Sequence, residues 1–175
     1  MEDKVKTSKF LSLILRHKPE AIGITLNKNG WAKVDELLEK LKISKEELDE
    51  VVKTNDKQRF TFNDDETFIR ASQGHSIEVD VELEGKEPPE VLYHGTSFSK
   101  EQLLMIDGIR KMKRLYVHLS DKYEKAIEVG RRHGAPVVFQ ILAKKMYKKG
   151  HKFFLSKNGV WLVDYVPREY LMIVK

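Results

Sequence analysis

Two adjacent prolines, Pro88 and Pro89 in "EGKEPPEV", divide this chain. Each fixes its own φ and lacks a backbone N–H, so the pair makes a stiff extended connector and not the interior of a sheet. The 175 residues are enough for two small lobes. The sequence therefore reads as lobes 1–85 and 90–175, each with its own core. Helical spacing is prominent before the prolines and short strand-like runs dominate after them, which together predict an α+β chain.

The first lobe predicts a helix over 6–18, in which Phe10, Leu11, Leu13, Ile14 and Leu15 form the buried side and Pro19 ends the pattern. Thr25 and Leu26 begin an extended piece, Asn29–Gly30 turns, and Trp31–Val34 resumes it. "VDELLEKL" over 34–41 has apolar residues at i, i+3, i+4 and i+7. "ISKEELDEVVKTN" is a further helix, with Ser44 and Glu47 spaced as a capping box. Phe60, Phe62 and Phe68 mark two strands around an Asn63–Asp65 turn. Helix, short strand, two helices and a two-stranded ribbon is the order of a winged-helix nucleic-acid binder.

The second lobe predicts strands in "VLYHGT", "RLYVHLS", "PVVFQILA", "KFFLSKNGVWLVDYV" and "EYLMIVK". Helices are expected in "SKEQLLMIDGI" and "DKYEKAIEVGRRHG", whereas "KKMYKKGHK" reads as a solvated face or loop. Charge is divided unevenly. Residues 1–87 carry 15 basic and 19 acidic side chains, net −4; residues 88–175 carry 17 and 8, net +9. The second lobe suits an anionic partner.

Several chemistries are excluded. Without cysteine there is no disulfide, thiolate nucleophile or cysteine-bound metal. The six histidines are scattered, with no H-E-x-x-H spacing, so no metal site is expected. Neither nucleotide-binding glycine fingerprint is present, nor a G-x-S-x-G elbow. "MEDKVKTSKF" lacks the apolar core of a signal peptide, and no apolar run approaches the ~18 residues of a membrane span. A cytoplasmic monomer is expected.

Basic residues at element ends remain: Arg16–His17, Arg59, Arg70, His75, His94, His118 and Arg131–Arg132–His133. Singly, each has a plain structural role, since a cation at a helix C-terminus gains a few tenths to about 1 kcal/mol from the dipole. Jointly, several guanidiniums and an imidazole would bind a phosphate bidentately.

"LSLILRHKPEAIGITLNKNGWAKVDELL", "VVKTNDKQRFTF", "IRASQGHS", "YHGT", "VHLS", "VGRRHG" and "NGVWLVDYVPREYL" occur in that order. Together they resemble the KptA family of RNA 2′-phosphotransferases. The resemblance implies a winged-helix RNA-binding lobe followed by an ADP-ribosyltransferase-like lobe that binds NAD, with the site between them. It implies removal of an internal 2′-phosphate from tRNA-like RNA, of the kind left by tRNA splicing, with NAD consumed as co-substrate. The family's catalytic residues fall on Arg16, His17, Arg59 and Arg132. Its NAD-lobe residues fall on His94, Gly95, Thr96, His118 and Ser120. Two other readings stay open on sequence: an ADP-ribosyltransferase acting on nucleic-acid ends, and a winged-helix binder without catalysis.

Overall fold

The computed structural model describes residues 2–174, apart from the side chain of Glu2. The chain is α+β and separates into two compact units, Met1–Glu82 and Leu83–Lys175. The division precedes the proline pair.

In the first unit, α1 (Glu2–Arg16) starts earlier than the apolar pattern suggests and ends two residues before Lys18. Pro19 opens a short 3-10 turn, Pro19–Ile22, where its missing N–H costs nothing. Leu11, Ile14 and Leu15 are fully buried, but Phe10 and Leu13 are exposed. The expected buried side is narrower than the run of apolar letters, because only one stripe of a helix can face one core. No strand forms at Thr25–Leu26. Instead the Asn27 side chain accepts from the Asn29 and Trp31 amides at 2.9 and 3.0 Å, closing a side-chain-capped loop.

Strand β1 (Ala32–Lys33) leads into α2 (Val34–Leu41), and α3 (Lys45–Thr54) follows behind the expected Ser44–Glu47 capping box. The hairpin β2 (Phe60–Phe62) and β3 (Phe68–Ala71) completes an antiparallel sheet in the order β1-β3-β2. Leu37, Leu48, Phe60 and Ile69 join the α1 stripe in one core. Each large side chain so buried contributes roughly 1.5–3 kcal/mol.

The second unit is built on two three-stranded antiparallel sheets. One orders β11 (Leu171–Val174), β7 (Pro136–Ile141) and β4 (Leu92–Ser97). The other orders β6 (Val117–Leu119), β9 (Trp161–Val163) and β8 (Phe153–Leu155). A reciprocal pair of 2.8 Å bonds between Tyr93 and Ser120 links β4 to the end of β6. The short strands β5 (Ile109–Arg110) and β10 (Tyr165–Val166) pair beside them. The expected last strand runs to Lys175, which lies outside the described residues.

Helices α4 (Glu101–Asp107) and α5 (Tyr123–Arg131) form where expected. The lysine-rich segment is not a loop: α6 (Ala143–Lys148) buries Ala143 and Met146 and leaves its lysines outward. Two apolar anchors three residues apart hold a helix whose other positions are three lysines and Tyr147. Helix α5 lies directly against β4. A Cβ on Gly95 would meet the Ala126 carbonyl oxygen at 1.6 Å, and one on Gly130 would meet the Thr96 carbonyl oxygen at 2.8 Å. The two backbones approach as closely as they do because both positions lack side chains.

Candidate active-site residues

The end of α1 is tied to a loop, residues 72–76, "SQGHS". The Ser76 amide donates to the Arg16 carbonyl at 3.0 Å, and His17 Nδ1 lies 2.7 Å from Ser76 Oγ. Gly74, at φ +90°, lies under the Arg16 guanidinium: a Cβ there would be 3.2 Å from both Cζ and Nε. Glycine is needed on both counts, the left-handed backbone and the close approach. At its other end the same loop holds the hairpin, because the Ser72 amide donates to the Arg59 carbonyl at 2.8 Å. The Asn55 side chain fixes the Arg59 amide at 3.0 Å. Thus one five-residue loop joins Arg16, His17 and Arg59, which are far apart in sequence.

His75 occupies the middle of that loop. It is 1% exposed, and neither ring nitrogen has a hydrogen-bond partner. Burial, reinforced by the charges of Arg16, His17 and Arg70, lowers its pKa from 6.5 to about 4. The ring is therefore neutral near pH 7. The folded-state pKa lies below the unfolded one, so the unfolded chain binds the extra proton between these values. This stability is complete above pH ~6.5 and is lost as pH falls toward 4, by about 3 kcal/mol. We expect urea midpoints measured from pH 7 to 4 to fall more steeply for the wild type than for His75→Phe. Parallel curves would show that His75 does not supply the difference.

Arg70 has a structural task. Its guanidinium stacks 4.2 Å from the Trp31 ring centroid and donates to the Asn29 carbonyl at 3.2 Å and to Glu82 at 3.3 Å. It braces β3 against the loop before β1.

In the second unit, His94 on β4 and His118 on β6 are joined across the Tyr93–Ser120 link. His94 Nδ1 donates to the His118 carbonyl at 3.1 Å. Burial lowers the His94 pKa; the bond to that carbonyl opposes the shift, and the charges of His133, Lys100 and Arg114 add to it. Neutral His94 thus carries its proton on Nδ1 and presents Nε2 as an acceptor. Arg114 Nη1 lies 2.7 Å from His118 Nδ1. Sequence reasoning did not single out Arg114, Ser76 or Gly74; Arg114 lies in the turn before β6, and no local pattern marks its reach to His118.

The remaining expected residues fall into two groups. Gly95 and Thr96 are buried on β4 against α5, so the structure gives Gly95 a packing role, whereas Ser120 carries the backbone link to Tyr93. Arg132 caps the C-terminus of α5 and is exposed. Among the described residues no three His, Cys, Asp or Glu side chains gather as metal ligands. No helix of the described residues is long and apolar enough to cross a membrane.

Arg16 and His17 at a helix end tied to one loop, and a guanidinium against the His118 imidazole, suit a protein that handles anions. The profile of the family described as "RNA 2′-phosphotransferase, Tpt1 / KptA family" matches residues 2–165. A Nostoc punctiforme protein named "Probable RNA 2′-phosphotransferase" is 52% identical over 95% of this chain and 95% of its own length. Proteins of the same name from Flavobacterium johnsoniae (50% identical; 94% of this chain, 93% of that one) and Acaryochloris marina (48%; 100% of both) match as fully. The chain belongs to the RNA 2′-phosphotransferase, Tpt1/KptA, family.

Proposed function

We propose that this chain is an NAD-dependent RNA 2′-phosphotransferase that removes an internal, splice-junction type 2′-phosphate. On this reading the first unit is a winged-helix RNA-binding lobe and the second an ADP-ribosyltransferase-like NAD-binding lobe. The observation that carries it is the 72–76 loop, which ties Arg16, His17 and Arg59 together at a helix end. The polar groups of the second unit fit a dinucleotide: an acceptor at His94 Nε2, with Lys100 and Arg114 supplying positive charge for a pyrophosphate.

In the first step the RNA 2′-phosphate oxygen attacks C1″ of the NAD ribose, and the bond to nicotinamide breaks. A phosphate monoester is already nucleophilic, so this step needs positioning by Arg16 and Arg59 and no strong base. In the second step the 2″-hydroxyl attacks phosphorus, its proton passes to water, and the bond to the RNA 2′-oxygen breaks. The products are 2′-OH RNA and ADP-ribose 1″,2″-cyclic phosphate. Negative charge builds on the phosphoryl oxygens, where Arg16 and Arg59 stabilise it. His17, oriented through Nδ1 by Ser76, delivers a proton from Nε2 to the departing 2′-oxygen.

Incubation with NAD and an oligonucleotide bearing one internal 2′-phosphate tests the reading. Release of nicotinamide with the cyclic phosphate is expected; no reaction overturns it. With His17→Ala the second step should slow by about 10²–10⁴-fold, so that ADP-ribosylated RNA accumulates in single-turnover gels. Equal rates for both steps would remove the proton-donor role from His17.

A further inference from the structure

We propose that the outer face of α6 is a docking surface for the phosphate backbone of RNA, on the reading that RNA is the substrate. It consists of Lys145, Lys148, Lys149 and Lys152 around the exposed ring of Tyr147, and it takes phosphates other than the one transferred. Local folding fixes this face. Ala143 and Met146 are the buried side of the helix. At its end the Gly150 amide donates to the Tyr147 carbonyl at 3.0 Å and the His151 amide to the Met146 carbonyl at 3.1 Å. Gly150, at φ +99°, supplies the left-handed turn that such a cap requires. The His151 ring then packs edge-on against Tyr170, with centroids 5.9 Å apart. The lysines are therefore carried on a closed helix end and not on a loose loop.

Their charge is left unbalanced. Lys144 lies 3.7 Å from Glu87 and 3.6 Å from Glu90. Lys145, Lys148, Lys149 and Lys152 are all exposed, and none forms an ion pair among the described residues. Like charges crowded into residues 145–152 repel one another. A polyanion relieves that repulsion, and its condensed counterions are released on binding. Tyr147, 40% exposed, lies among the lysines and offers a face on which an unpaired base can stack. An anionic membrane is the rival polyanion. It fits less well, because α6 is six residues long and buries both of its aliphatic side chains, leaving no apolar face to insert.

Fluorescence anisotropy with a labelled single-stranded RNA that carries no 2′-phosphate, recorded without NAD, tests this. Lys145→Gln/Lys148→Gln/Lys149→Gln should weaken binding about tenfold and lower the slope of log K against log salt by about 2 to 3. Its melting temperature should not move, since all three side chains are exposed. Lys122→Gln/Lys125→Gln/Lys157→Gln removes the same charge elsewhere on the second unit and should leave affinity and slope nearly unchanged. Tyr147→Ala should cost about tenfold with the slope retained, because stacking releases no counterions, and Tyr147→Phe should restore affinity. Unchanged RNA affinity in the α6 lysine variant, or an equal loss in both triple variants, overturns the proposal. Sedimentation with phosphatidylserine vesicles that the α6 variant loses, with RNA binding intact, assigns the face to a membrane and also overturns it. If the wild type binds RNA through this face, yet NAD and the 2′-phosphorylated oligonucleotide do not react, the proposed function falls and the docking surface stands.

Discussion

Arg16→Ala is expected to slow nicotinamide release from NAD and 2′-phosphorylated RNA by about 10²–10³-fold, the usual cost of one donor aimed at reacting oxygens. The fold should be little affected. The Arg16 side chain is half-buried and packs on Gly74, while its backbone keeps the bond to Ser76. Arg16→Lys should recover only part of the rate, because an ammonium cannot grip a phosphate through two parallel N–H bonds. Single-turnover rates at saturating NAD check this. A rate for Arg16→Ala within threefold of wild type would remove Arg16 from phosphate binding.

The second large effect is on stability. Gly95→Ala places a methyl group 1.6 Å from the Ala126 carbonyl oxygen, which neither backbone can accommodate in place. Strand β4 or helix α5 must shift, at a cost of about 3 kcal/mol or more. For a unit of this size the melting temperature should fall by more than about 10 °C. Gly130→Ala, whose methyl would lie 2.8 Å from the Thr96 oxygen, should cost less. Thermal melts of the two variants test the order. If Gly95→Ala melted with the wild type, the close packing of α5 on β4 would be wrong.

Much of the fold could be read directly. Helix α2 occupies the same residues, 34–41, that the apolar spacing marks, and the Ser44–Glu47 box starts α3 as expected. What failed did so where tertiary packing outweighs local pattern. Phe10 and Leu13 are apolar but lie off the buried stripe, and α6 is held by Ala143 and Met146 among lysines that suggest a loop. The loop at Thr25–Leu26 depends on one side chain, Asn27, whose capping bonds no periodicity reveals.

For the site, Arg16, His17 and Arg59 were visible as residues but their union was not. It is made by backbone amides of the loop "SQGHS", which the sequence marks through His75 but whose bonds to distant carbonyls no letter reveals. The contact between Arg114 and His118 was equally hidden, since nothing in "RLYVH" indicates that a side chain in the turn before β6 reaches onto that strand.

The 72–76 loop also has a kinetic meaning. Its Ser72 bond to the Arg59 carbonyl extends the β2–β3 hairpin and can form with it, whereas its Ser76 bond to the Arg16 carbonyl closes 60 residues of chain and needs α1 in place as well. Arg16 and Arg59 become neighbours of one loop as a late product of folding, not as a property of any fragment. The amide hydrogen of Ser72 therefore reports the hairpin and that of Ser76 the docking of α1 on the loop, and their exchange with solvent would separate the two events.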